Sequence, residues 1–273
     1  MIERVYKYYN KYVREVAGFC YLFFPYIPEE TIAKDYLGEY FPIWLKVFFI
    51  RICVLTISAS IYYFWLYKRN SIYIDGENYR ITVEYGDLFN ENNCKKVIPF
   101  DECFTTTTGK RPCDINPESI CGQYLLKHKI NEQEMEDLIK EADLKAMRSK
   151  SSYKNNVRYE SGTLVPRGDD LLLSFAKLDK DGLGVLSRDE YLQCLSLLWH
   201  EINKYHGQKD VCVPILGSGI TRMGDKSPTQ QELLDIMILT YKLCACKLKN
   251  PNRLRIICRK QEGFSLEDIG KTI

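Results

Sequence analysis

The chain has 273 residues, with 38 Lys+Arg against 36 Asp+Glu and a formal net charge of +2. That length fits one large domain or a domain with an appendage, and 45% apolar with 27% charged residues excludes wholesale disorder. Near-neutral charge supplies no electrostatic footprint for nucleic acid. The 11 cysteines are odd in number and form no C-x-x-C pair, which argues against a zinc ribbon and a secreted disulfide framework. They read as buried apolar fillers in a reducing compartment. Cys244 and Cys246 fall in an expected helix, where residues two apart do not face each other.

Along the chain, the first strong signal is an apolar run from Phe41 to Tyr67 in which only Lys46 and Arg51 are charged. Starting at Val47 it offers 21 residues, enough for a bilayer-spanning helix, with Arg51 one turn inside and able to snorkel. Tyr62, Tyr63, Trp65 and Tyr67 crowd the far end as an interfacial aromatic belt would, and Lys68-Arg69 close it. A weaker apolar stretch, Val16 to Pro28, spans a bilayer only if extended back through Tyr12. Basic residues at Arg4, Lys7, Lys11 and Arg14 precede it, and Glu29, Glu30, Asp35 and Glu39 fill the intervening loop. This distribution predicts a hairpin with both termini cytoplasmic. We therefore expect transmembrane helices at about residues 12–28 and 47–67, in a membrane region 1–70. No cleaved signal peptide is expected, because the longest apolar run starts beyond residue 40.

From Ser71 onward short strands alternate with amphipathic helices. Strands are predicted at Tyr79–Tyr85, Lys95–Phe100, near Gly162–Val165, at Leu171–Leu178, Val211–Leu216 and Leu254–Cys258. Helices are predicted from Asn116-Pro117 toward Leu126, from Asn131 to about Ser149, at Arg188–Lys204, and at Pro228–Lys247 behind the capping box Ser227-Pro228-Thr229-Gln230. Apolar runs such as LLLSF and VCVPIL imply a mostly buried sheet covered by helices, hence an α/β domain over 71–273.

Two segments concentrate the functional signal. Tyr85-Gly86-Asp87-Leu88-Phe89 follows one strand, and Pro214-Ile215-Leu216-Gly217-Ser218-Gly219-Ile220-Thr221 follows another, shortly before a capped helix. Ligands in open α/β sheets bind at the carboxyl ends of strands. Glycines there admit close backbone approach, and successive N–H groups can cradle a diphosphate, although Gly-x-Gly is also an ordinary turn. Asp87 could accept hydrogen bonds from an amino group or a ribose hydroxyl.

VEYGDLF (Val83–Phe89) and PILGSGITR (Pro214–Arg222) resemble the adenine-contacting and diphosphate-wrapping elements of macro domains that bind ADP-ribose. VIPFDECFTT (Val97–Thr106) and SICGQY (Ser119–Tyr124) are similar to stretches of the macro-domain membrane effectors of bacterial Thoeris anti-phage defence, a resemblance that runs along essentially the whole chain. It implies a macro-domain-like mixed sheet flanked by helices behind an N-terminal transmembrane hairpin. It also implies a ligand site of Asp87, Leu88, Asp101, Leu216, Gly217, Ser218, Gly219, Ile220, Thr221 and Arg222. The ligand would be an ADP-ribose-containing signal molecule, such as an amino-acid conjugate, made by a TIR-domain partner enzyme; no cofactor is expected. The protein would then self-associate and disrupt the inner membrane lipid, with the macro domain cytoplasmic. Asp101 stands where the group has an asparagine near the distal ribose, Thr105 replaces an aspartate, and Cys121 replaces a histidine. The triple-glycine loop of hydrolytic macro domains is missing, so a sensor is expected ahead of a membrane-tethered ADP-ribosyl hydrolase.

Asp179 to Glu190 matches an EF-hand loop at Asp179, Asp181, Gly184, Ser187 and Glu190, but Leu183 offers no ligand oxygen and the entering segment reads as a strand. A strand-to-helix turn is the expected structure. His128, His200 and His206 show no metal spacing. Ser218 has no histidine placed as its base, so no hydrolase triad is expected.

Overall fold

The structure, a computed structural model, describes residues 17–18, 42–67, 70–111, 113–219, 221–224, 227–261 and 263–271. Contacts divide the chain into two units between Asn70 and Ser71. In the first, α1 (Ile43–Tyr67) is one unbroken helix. Its segment Ile43–Tyr62 is long and apolar enough to cross a membrane and is mostly unburied. Trp44, Phe48, Phe49, Ile57, Ile61 and Phe64 are exposed on it. Thr56 and Ser60 donate their hydroxyls back to Ile52 O (3.0 Å) and Thr56 O (2.7 Å), so neither polar group stands unpaired on the apolar surface. The expected span at 12–28, and with it the hairpin, lies outside the described residues.

The second unit is a mixed sheet between two helical layers. Its strands are β1 (Ser71–Asp75), β2 (Arg80–Tyr85), β3 (Cys94–Asp101), β4 (Leu164–Arg167), β5 (Asp170–Leu178), the short β6 (Gly184–Val185), β7 (Asp210–Pro214) and β8 (Leu254–Cys258). They lie in the order β1-β2-β8-β7-β3-β5-β4, with β6 paired to β5. The central β2, β8, β7, β3 and β5 are parallel, and the outer β1 and β4 run antiparallel to their neighbours. The helices are α2 (Ile120–His128), α3 (Glu132–Glu141), α4 (Arg188–Tyr205) and α5 (Gln230–Leu243).

Strand periodicity sorts the core into two halves. Val97, Leu171, Leu173, Val211, Val213 and Ile256 point to the side of α4 and α5, where Trp199 and Tyr241 are fully buried. Ile98, Leu172, Cys212 and Ile257 point to the side of α2 and α3, against Tyr124, Met135 and Ile139. Apolar runs rather than alternating ones were needed because both faces are covered.

Several sequence expectations are corrected at element ends. The helix expected from Asn116-Pro117 starts later: Asn116 Oδ1 accepts from Glu118 N (2.9 Å) in a turn, and Ser119 is the N-cap, accepting from Gly122 N (3.0 Å). The helix after Asn131 stops at Glu141 rather than Ser149. Asp143 is left-handed (φ 49°), Asp143 N donates to Lys140 O, and Leu144 N donates to Ile139 O, a Schellman closure. The last helix is capped by Thr229 with Glu232, not by Ser227, and ends at Leu243. Cys244 is its extended C-cap, and Cys246 N donates to Cys244 Sγ (3.3 Å), so the two are not helical neighbours. Of the thiols, Cys94, Cys121, Cys194, Cys212 and Cys258 are buried, whereas Cys53 is exposed and Cys103, Cys113, Cys244 and Cys246 are half-buried.

The EF-hand-like stretch is a strand–turn–helix. Asp179 Oδ1 accepts from Asp181 N and Leu183 N (both 2.9 Å), closing the turn after β5. Glu190 completes a capping box with Ser187 and pairs with Lys177 at 2.5 Å. No group of His, Cys, Asp or Glu able to hold a metal occurs among the described residues.

Candidate ligand-binding site

A cavity of about 370 Å³ opens at the carboxyl ends of the parallel strands. Its walls follow the strand order. Gly86, Asp87 and Leu88 come from the end of β2, Ile257 and Arg259 from β8, residues 214–219 from β7, Asp101 from β3 and Ala176 from β5. The loop before α2, including Cys113, Asn116 and Ser119, forms the far wall with Cys121.

At the β2 end, Asp87 is exposed and caps a short 3-10 turn, accepting from Phe89 N (3.1 Å) and Asn90 Nδ2 (3.2 Å). Leu88 beneath it is buried. Gly86 N donates to Cys258 O (3.1 Å), which locks the two strand exits together.

The glycine segment is held from below. Tyr191 donates its buried hydroxyl to Leu216 O (3.1 Å), and burial pushes that phenol well above its ordinary pKa. Gly217 is left-handed (φ 81°), and a Cβ there would strike Met223 Cε at 2.3 Å. At Gly219 a Cβ would meet nothing within 4 Å, so its free side faces open space at the cavity wall. Ser218 donates its hydroxyl to Ile215 O (2.8 Å), an arrangement of a turn and not of a nucleophile. Thr221 also lines the cavity, whereas Arg222 does not. The main chain of Arg222 pairs with β6 and the residue after it, its N donating to Gly184 O (3.0 Å) and its O accepting from Leu186 N (2.9 Å). Ile220 lies outside the described residues.

At the β3 end a register shift between Phe100 and Asp101 re-aims the strand exit. Asp101 is 6% exposed, not a solvated loop residue. Its Oδ1 accepts from Cys103 N (2.8 Å) and Thr105 N (3.3 Å), while its buried Oδ2 has no partner. Burial pushes the Asp101 carboxyl above the usual range, and the Cys103 N–H, the Thr105 side chain and the Thr105 N–H only partly offset it. Next to it Glu102 is 1% exposed and accepts from Ser151 Oγ (2.6 Å), Leu178 N (3.2 Å) and Arg158 Nη1 (3.1 Å). That clasp ties the Asp101 loop to the segment around 151–158. Burial also raises Cys121 well above an ordinary thiol and Cys103 to about 12, so neither is a thiolate at neutral pH.

Of the residues expected from sequence, Asp87, Leu88, Asp101, Leu216, Gly217, Ser218, Gly219 and Thr221 come together around one cavity. Sequence reasoning missed Arg259, Gln261 and Gln230, which also line it. Arg259 directly follows a parallel strand, and the rule that ligands bind at strand carboxyl ends was the signal that could have found it.

This combination, a parallel-centred sheet with a cleft running across five strand exits and a glycine turn in its middle, defines a ligand-binding α/β domain. The comparisons then specify which. The family described as "Thoeris protein ThsA, Macro domain" matches residues 81–259. The Thoeris protein ThsA of Bacillus amyloliquefaciens (strain Y2) is 30% identical over 201 residues, covering 71% of this chain and 67% of that protein. This chain therefore belongs to the Thoeris ThsA macro-domain family. Among solved structures, an Oceanobacillus iheyensis macrodomain mutant with ADPR aligns with TM-score 0.45 and 10% identity, over 73% of this chain and 92% of that one. The same macrodomain with ADP aligns with TM-score 0.44 and 10% identity, over 70% and 89%.

Proposed function

We propose that this protein is a membrane-anchored sensor of Thoeris defence that binds an ADP-ribose-derived signal nucleotide made by a TIR-domain enzyme. Occupancy of the cavity leads it to self-associate and disrupt the cell's inner membrane. The observation that carries this reading is the linear order of the cavity wall. An acidic acceptor, Asp87, sits at one end, backbone N–H groups of the Gly217–Gly219 turn in the middle, and a buried carboxyl, Asp101, at the other. An amino-bearing base, a diphosphate and a distal ribose need those three kinds of group in that sequence. The exposed apolar α1 supports the anchor.

The test is calorimetric titration of the full chain in detergent with ADP-ribose and its amino-acid conjugates. Micromolar or tighter binding is expected, with no release of ADP-ribose from an ADP-ribosylated protein incubated alongside. No binding would overturn the sensor, and release of ADP-ribose would establish the hydrolase instead.

A further inference from the structure

Charge is distributed unevenly around the cavity. Asp87, Asp101, Asp114 and Glu118 line it, and among the described residues Arg259 is the one cation that does. Asp114 is already held by Arg111 at 2.9 and 3.0 Å. Arg259, in contrast, is exposed and makes no ion pair or hydrogen bond with any described residue.

The backbone aims it. Tyr85 and Cys258 are register partners on β2 and β8, so Gly86-Asp87 and Arg259-Lys260-Gln261 leave the sheet side by side. Lys260 lies over the Tyr85 ring at 5.2 Å, and Phe264 packs edge-on against the same ring at 5.9 Å. In an extended segment the residues on either side of Lys260 then face the other way, and both Arg259 and Gln261 line the cavity. The floor at this end is apolar, with Leu88 and Ile257 buried beneath the Gly86-Asp87 exit.

We propose that Arg259 closes the base end of the site by laying its guanidinium plane over the ligand's heteroaromatic ring. The inference rests on the ADP-ribose-type ligand proposed above and names the residue that selects its base. A phosphate is a poor occupant here, because it would sit beside the Asp87 carboxylate and over an apolar floor. The anion cradle already exists one strand over, at the Gly217–Gly219 turn. A flat ring with an exocyclic amine satisfies all three surfaces: aliphatic carbon below, carboxylate at the edge, guanidinium above. Arginine suits that position because its delocalised plane is weakly hydrated and stacks, whereas a lysine ammonium is a hydrated point charge.

The test measures ADP-ribose affinity of the full chain in detergent for wild type, Arg259→Ala, Arg259→Lys and Arg259→Tyr, with thermal melts on each. The exposed side chain, without a partner among the described residues, predicts unchanged melting. The alanine and lysine variants should bind about tenfold more weakly, and the tyrosine variant, which restores a plane without charge, within about threefold of wild type. A lysine variant equal to wild type with a tyrosine variant as weak as alanine would overturn the proposal in favour of phosphate pairing. Equal affinity in all four would remove Arg259 from the site. Those results leave the sensor reading standing, whereas a wild type that does not bind ADP-ribose removes both.

Discussion

Gly217 and Gly219 look alike in sequence and differ in what they are for. Gly217 needs its left-handed backbone, which strains any side chain there, and a Cβ would also displace the terminal methyl of Met223. Gly219 has room for a side chain but faces the cavity. Gly219→Glu should therefore leave the fold intact and weaken ADP-ribose binding at least about tenfold, roughly 1.4 kcal/mol, through bulk and charge at the diphosphate position. Unchanged affinity in a folded variant would contradict the cradle. Asp101 poses the opposite case, a residue whose burial costs stability. Its folded pKa lies above its unfolded one, so its favourable contribution is complete at pH below the unfolded carboxyl range and is lost as pH rises through the folded value. At neutral pH Asp101→Asn should raise the melting temperature by about 2–4 °C for each kcal/mol relieved. A cation bound beside Asp101 would hold it ionised, and asparagine carries no charge, so the same variant should weaken binding of a cationic conjugate, such as an imidazole-bearing one, by roughly 1–3 kcal/mol. Plain ADP-ribose should change much less. Equal losses for both ligands, or a lower melting temperature, would exclude Asp101 from selectivity or from strain respectively.

At the scale of elements, local signals located the helices and every strand but β1 and β6, and caps decided where each helix begins. Asn131, Ser187 and Thr229 each accept an N3 backbone N–H. Asn116-Pro117 carries the same signature, yet it forms a turn, because Gly122 lets the Asn116 carbonyl pack against α2 and the helix begins at Ile120. Glu190 illustrates how one side chain can satisfy two patterns. Its carboxyl is drawn down to about 2 by the Lys177 ammonium first and by the Ser187 N–H second. A depressed carboxyl stabilises the fold above its unfolded pKa and loses that contribution as pH falls toward the folded value. Glu190→Gln should thus cost about 1 kcal/mol near pH 7, the usual worth of a cap. Its stability should fall less than that of wild type between about pH 5 and 2. Thermal melts across that window check it, and parallel pH profiles would show that Glu190 carries no such linkage. The same melts with calcium added should not shift, since the carboxylate is committed to α4 and Lys177.

For the whole molecule, the two units predict separable roles. The two apolar cores lie within the sheet unit, and α1 carries large exposed apolar side chains. A chain beginning at Ser71 should be soluble and bind ligand as the full protein does, yet be harmless in cells that make the signal. Only three residues, Lys68 to Asn70, separate the end of α1 from the start of β1, and so short a linker would pass domain rearrangement to α1. Killing by the shortened chain would sink the membrane mechanism.

Sequence by itself determined six of the eight described strands and their covered faces, because apolar periodicity is a local property, whereas β1 and the two-residue β6 carried no such signal. It also placed Gly86-Asp87, Asp101 and Gly217–Gly219 at strand exits, since those follow from where each strand ends. Tertiary structure alone decided which exits are neighbours. The order β2-β8-β7-β3 pairs residues 173 apart, such as Tyr85 and Cys258, and that interleaving brings Arg259 beside Asp87 and leaves Arg222 outside the cavity. Asp101 likewise reads as polar in sequence and is buried in the fold, because the loops clasped by Glu102 close over it. Burial and juxtaposition are sums over distant segments, and no local window contains them.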